Sequence, residues 1–208
     1  AACIHSPSNQ VKIIAREADP FESLKRHNTL KHCEMETFDK FNSKFSDYKL
    51  IILAIPCQSL RNVNEWMYRH WEKTEKNNGK ETKKINIISA AKGIEQKTLL
   101  LPSQILENIW QENASIGSLS GPSFAKEMLE GLPTCVVIAS KDEKLLNLAS
   151  NLLHRPYFRI YDSKDIIGVE ISGALKNVIA MVAGAVDGLK LGNNARAAVI
   201  TRGLAEIA

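Results

Sequence analysis

Within the 208-residue chain, the stretch Gly173 to Gly203, GALKNVIAMVAGAVDGLKLGNNARAAVITRG, holds one lysine in an apolar helical pattern, Lys176. Helical spacing places Ile171, Leu175, Ile179, Val182 and Val186 on one stripe, which predicts a core-facing side. Beside it run Gly173, Lys176, Ala180, Ala183 and Asp187, so a cation is flanked by residues with little or no side chain. Small neighbours leave room for a ligand. The same pattern also fits a core helix whose lysine snorkels to water, and pattern alone does not choose between the two. Asp187 lies about 16 Å further along the helix, too far to pair with Lys176, and reads as a helix-end or interface residue.

The elements that must position this lysine alternate. Val11 to Ala15 and Tyr48 to Ile55 are apolar runs rich in β-branched residues, and the second, stopped by Pro56, suits an interior parallel strand. Ile85 to Ala90, Ser115 to Leu119, Thr134 to Ala139 and Tyr157 to Tyr161 read as further strands. Between them, helices are predicted over Asp19 onward with Pro20 in the first turn, Leu60 to Trp71, Leu99 to Trp110, Phe124 to Leu129, and from the cap Asp142 to Leu153. Thr29 to Asp47 is polar and predicts only short, irregular elements. This order implies an α/β fold with a doubly wound, Rossmann-like sheet over residues 1–163, followed by the start of an all-helical domain over 164–208. Ligands of such sheets bind beyond the carboxyl ends of the strands. Three of those ends, Ile55-Pro56, Ala91-Lys92-Gly93 and Ser120-Gly121-Pro122-Ser123, offer small residues, backbone amides or a cation, which suits an anionic ligand.

Composition narrows the function classes. With 44% hydrophobic and 24% charged residues, the chain reads as a folded globular protein rather than a disordered one. The longest apolar run, near Leu50 to Ile55, is far short of the roughly 20 residues of a membrane span, so a cytoplasmic location is expected. Cys3, Cys33, Cys57 and Cys135 are scattered without paired spacing, and His27, His32 and Cys33 lack ligand spacing, so neither disulfide nor metal is expected. The net charge of +4 collects in Lys73 to Lys84, where no aromatic residues interleave. That stretch reads as a solvated loop rather than a nucleic-acid surface.

Ala91-Lys92-Gly93, then SGPSFAKEMLEGLPT from Ser120, then GALKNVIA and GNNARAAVITRGLAE through Glu206 fall in one order and spacing. On these motifs, the chain from about Val11 to its end resembles the bacterial NAD(P)-dependent glycerol-3-phosphate dehydrogenases. The resemblance implies an oxidoreductase that interconverts sn-glycerol 3-phosphate and dihydroxyacetone phosphate by hydride transfer, supplying phospholipid synthesis. It makes Lys176 the catalytic base at the C2 hydroxyl. A base near neutral pH needs a lowered lysine pKa, which desolvation and a second cation, Lys92, would supply. It further implies substrate contacts at Lys92, Gly121, Ser123, Lys176 and Asn177, and cofactor contacts at Lys92 and Ala125, with Pro56 at a cofactor-facing strand end. Arg16, at the end of the second strand of such a domain, tilts the cofactor from NAD toward NADP through a ribose 2′-phosphate. A homodimer is a candidate assembly.

The family opens with a strand and a Gly-x-Gly-x-x-Gly turn that holds the pyrophosphate, whereas the first glycine of this sequence is Gly79. The missing strand would sit between Val11–Ala15 and Tyr48–Ile55, so the sheet is expected to open there. The arginine and asparagine that the family uses on the substrate phosphate are absent as well. Two further readings therefore stay open: a non-catalytic remnant or interaction module, and a related dehydrogenase of another small hydroxy compound. The chain alone is expected to be inactive and to bind little or no NADPH. Fluorescence titration checks this, and micromolar affinity would contradict it.

Overall fold

The computed structural model describes residues 10–18, 30, 33–76 and 83–207. Its strands are β1 Lys12–Ala15, β2 Glu34–Thr37, β3 Ile51–Leu53, β4 Ile85–Ser89, β5 Ala114–Ser120, β6 Thr134–Ser140 and β7 Phe158–Ser163. Its α-helices are α1 Cys57–Thr74, α2 Pro102–Trp110, α3 Ala125–Leu129, α4 Glu143–Leu153, α5 Ile166–Gly188 and α6 Gly192–Ile207. The helix expected from Asp19 lies outside the described residues.

Strands β3 to β7 form one sheet in sequence order, parallel except for the antiparallel pair β5–β6. Successive side chains of a strand point to opposite faces. On β4, Ile85 and Ile87 accordingly enter the apolar cluster under α1 and α2, while Ile88 enters a second cluster with Leu145, Leu146 and Ala149 of α4. Helices thus cover both faces, as a doubly wound sheet requires. In α1, Leu60, Asn64, Met67 and Trp71 recur at helical spacing and are buried. Asn64 is tolerated there because its amide donates to the Leu60 carbonyl and its oxygen accepts from Trp110 Nε1 at 3.1 Å.

The structure corrects four expectations. First, Glu34–Thr37 is a strand, paired in parallel with β1, where a polar irregular stretch was expected. Lys12 of β1 stabilises it through Glu36 at 3.2 Å and Glu34 at 3.5 Å. Second, β3 is short and lies at the margin of the five-stranded sheet, and Ile52 is partly exposed. This accords with the opening expected there: among the described residues no strand joins β1 to β3, although Ile14 and Ile51 pack on the same apolar cluster. Third, α5 buries Ile166, Glu170, Gly173 and Val186, whereas Leu175 and Val182 of the expected core stripe are 40% and 45% exposed. The face that wins is the one that approaches β5, as detailed below. Fourth, α5, at 23 residues, is by length and composition apolar enough to cross a membrane, where the longest apolar run was expected to fall far short. Its Glu170, however, is bonded inside the protein.

The loop after β4 is clamped to α1. Arg61 donates from Nε and a terminal nitrogen to the two carboxylate oxygens of Glu95, at 2.9 and 2.7 Å, and Gln58 bonds both the Ile94 carbonyl and the Gln96 amide. The bidentate Arg61 bond, followed by Thr98, holds the Glu95 carboxyl below its ordinary value of 4.5. A carboxylate with a depressed folded pKa contributes stability that is complete above its unfolded value and lost as the pH falls through the folded one. Arg61→Ala should therefore cost about 1–3 kcal/mol at neutral pH. The deficit relative to the parent should shrink below pH 4.5, where the parent loses the same contact. Urea unfolding in the two ranges measures both effects.

Candidate active site

Lys92, Gly121 and Ser123 lie where β4 and β5 end, and α5, which carries Lys176 and Asn177, crosses there. Lys92 follows β4 on the loop clamped by Arg61 and Glu95, and its Nζ donates to the Gly121 carbonyl at 3.2 Å. Gly121 follows β5 at φ +148°, and a Cβ there would lie 2.8 Å from the Cys135 carbonyl oxygen and 2.9 Å from Val136 Cα. Those are backbone atoms of β6, so no side chain fits and the glycine is required by the strand approach itself. Ser123 turns back, its hydroxyl donating to the same Gly121 carbonyl at 3.4 Å.

α5 reaches this corner through Gly173, which is buried. A Cβ on Gly173 would stand 2.8 Å from Ser120 Oγ and 3.9 Å from Lys92 Cγ. The glycine expected to leave room for a ligand instead lets the helix backbone approach the end of β5. One turn later Lys176 is exposed, its Nζ donating to Asn177 Oδ1 at 3.1 Å. The desolvation expected around Lys176 is therefore not found, because the buried face of α5 is the one carrying Glu170 and Gly173. Burial of its surroundings pushes the Lys92 ammonium below the ordinary lysine range, and repulsion from Lys176 adds to the effect.

Pro56 stands at the start of α1, immediately before the Cys57 side chain that Gly93 faces, and so borders the Lys92 loop. Ala125 opens the short helix α3 and is exposed. Arg16 is exposed just past β1, in the smaller sheet, and is not part of these contacts. Asp187 pairs with Arg196 at 3.5 Å and so joins the end of α5 to α6. Sequence reasoning missed Glu170. Glu170 is 4% exposed, and its oxygens accept from the Ser103 amide at 2.9 Å and the Ser103 hydroxyl at 2.7 Å. The signal was a carboxylate within an apolar helical stretch, which must either face water or find donors.

The group is an open corner rather than a closed pocket. Two hollows among the described residues lie elsewhere: one of about 390 Å³ lined by Arg69, Glu72, Lys73 and Lys76, and one of about 190 Å³ beside Lys84, Glu107 and Lys141. The corner supplies a cation and a backbone carbonyl at strand ends, groups able to bond a polar or anionic ligand.

The sequence model of the N-terminus of NAD-dependent glycerol-3-phosphate dehydrogenase matches residues 1–146, and that of the C-terminus matches residues 165–208. Among curated relatives, the chain is 51% identical over 122 residues to a glycerol-3-phosphate dehydrogenase [NAD(P)+] of Herminiimonas arsenicoxydans, a match covering 59% of this chain and 37% of that protein. It is 44% identical over 159 residues to one of Desulfovibrio desulfuricans, covering 76% of this chain and 45% of the relative. The chain thus spans less than half the length of these relatives. The crystal structure of glycerol-3-phosphate dehydrogenase from Coxiella burnetii superposes with a TM-score of 0.79 at 26% identity, over 99% of this chain and 62% of that one. The enzyme from Saccharomyces cerevisiae gives 0.73 at 27% identity, over 99% and 63%. A matched sequence model over residues 1–146, which holds most of the Rossmann-like sheet, and a second over residues 165–208, which hold Lys176, agree: the chain belongs to the NAD-dependent glycerol-3-phosphate dehydrogenase family.

Proposed function

We propose that the chain carries the substrate-reacting corner of an NAD(P)-dependent glycerol-3-phosphate dehydrogenase, with Lys176 as the base and Lys92 as the cation that holds the substrate. The observation that carries this reading is the convergence of Lys92, the Gly121 carbonyl and α5 at the ends of β4 and β5, which brings two ammonium groups to one place. Two facing cations repel, and an anionic ligand between them removes that cost. A phosphorylated three-carbon alcohol has both the anion and the hydroxyl that these groups can engage.

In the oxidative direction, neutral Lys176 takes the proton of the C2 hydroxyl as the C2–H bond breaks and a carbonyl forms. The nicotinamide, when bound, supplies the hydride acceptor. Lys92 stabilises the charge that develops on the C2 oxygen, and Asn177 directs the Lys176 ammonium by accepting its hydrogen bond. In the reductive direction the same lysine returns the proton. Lys92 and Ala125 would border the cofactor, with Pro56 at the neighbouring strand end. Arg16, at the carboxyl end of β1, supports NADP over NAD. The chain divides, on this reading, into a dinucleotide-binding unit over 1–163 and the opening of a helical substrate unit over 164–208. The complete enzyme is proposed to be cytoplasmic, without a membrane span, and a homodimer.

The test is a chimera in which a curated relative provides the segments that this chain does not span. Lys176→Ala in that protein should lower kcat by roughly 10²–10⁴-fold. NADPH affinity should stay nearly unchanged. Retained turnover would remove Lys176 as the base, and failure of glycerol 3-phosphate to compete with other hydroxy substrates would remove the proposed substrate.

A further inference from the structure

Glu170 lies two turns before Lys176 on α5, and its contacts are unusual for an apolar helix. Its carboxyl is buried against the first turn of α2, where it accepts from both the amide and the hydroxyl of Ser103. The Ser118 hydroxyl of β5 is a further donor. Position Ser103 is the second residue of α2, one of the amides that a helix leaves without an internal partner, and the residue before the helix, Leu101, has no side-chain oxygen to offer. The cap of α2 is therefore borrowed from α5.

That bond is accompanied by a second close approach of α5 to the same strand. Glu170 meets Ser118, and Gly173 meets Ser120. Residues two apart on a strand point to one face, and residues three apart on a helix share one side, so the two contacts line up. One contact would leave the helix free to roll or slide. Two fix both its rotation and its translation relative to β5, and Lys176 follows rigidly one turn after the second. The groups facing Glu170 fit a placement role. Glu107 of α2 disfavours its charge, Cys57 at the start of α1 lies within its field, and the serine hydroxyls hold its oxygens.

We infer that Glu170 is a positioning residue, whose carboxyl keys α5 onto α2 and β5 and thereby sets where Lys176 stands relative to Lys92. The inference rests on the reading of Lys176 and Lys92 as one reacting corner, and it can be tested without turnover. In the chain itself, labelled with ¹³C-lysine, NMR titration reads the Lys92 ammonium, and hydrogen exchange reads each helix separately. Glu170→Ala should return the Lys92 titration toward that of an ordinary lysine and speed exchange at residues 170–176 by roughly ten-fold or more. Exchange in α4 should not change.

Glu170→Gln, which keeps an acceptor for the Ser103 amide, should preserve both parental readings. Ser103→Ala removes only the hydroxyl at the other end of the contact and should move both readings in the direction of Glu170→Ala, so it decides the matter if Glu170→Ala does not fold. The inference is overturned if Ser103→Ala leaves the Lys92 titration and the α5 exchange at parental values, if exchange rises equally in all elements, or if Glu170→Gln behaves as the alanine variant does. Because neither readout requires catalysis, loss of the base assignment in the turnover assay and loss of this positioning role are separate results.

Discussion

A carboxylate taken out of water costs several kcal/mol unless donors surround its oxygens, and the placement of the helix that carries Lys176 depends on one that meets this condition. Glu170 is satisfied only while Ser103 of α2 and Ser118 of β5 stay beside it. Ser103 is 67 residues away in sequence, so this bond forms only when α2, β5 and α5 have all assembled. The contact thus penalises every arrangement in which α5 is rolled or shifted, since each would leave a buried charge without partners. Burial raises the pKa of the group, and protonation would soften the penalty without removing the need for the two serines.

The electrostatics of the corner follow from that placement. An ammonium has three donors, and the bonds seen here use one on each lysine: the Gly121 carbonyl for Lys92 and Asn177 Oδ1 for Lys176. The remaining donors can face a ligand, and two cations held near each other by backbone and helix packing favour an anion between them. Desolvation by its surroundings, with repulsion from Lys176 added, lowers the affinity of Lys92 for its proton. Lys176 itself is exposed in this arrangement.

The sheet was legible where strands are apolar and continuous. TCVVIA became β6, the run from Tyr48 held β3, and Asp142 caps α4 by accepting from the Lys144 amide at 2.8 Å. β2 was not legible, because Glu-Met-Glu-Thr has the composition of a loop until Lys12, on a strand twenty residues earlier, is placed opposite its carboxylates. On α5, periodicity chose the stripe of largest side chains, whereas the fold buried the side with Gly173, where lack of a side chain permits the closest approach to β5. Lys176 and Lys92 could be found by residue type and motif. Glu170 could not be assigned a role, since a carboxylate in an apolar helix reads as solvent-facing until its distant donors are known.

The division of the sheet bears on how the two halves of the site relate. β1 and β2 pair with each other, β3 pairs with β4, and no described strand joins the two sets. What links them is apolar packing, with Ile14 and Ile51 in one cluster, and such contact tolerates displacement far better than a hydrogen-bonded ladder does. The Lys92 loop shares that cluster through Ala91, and Ala90 donates to the Leu53 carbonyl of β3 at 2.9 Å, but hydrogen bonds elsewhere also hold the lysines. The corner is fixed by the Arg61–Glu95 clamp, the glycine approach of β5 to β6, and the two contacts of α5 on β5. Rearrangement around β1 and β2, including entry of a strand between β1 and β3, therefore need not disturb Lys92 or Lys176.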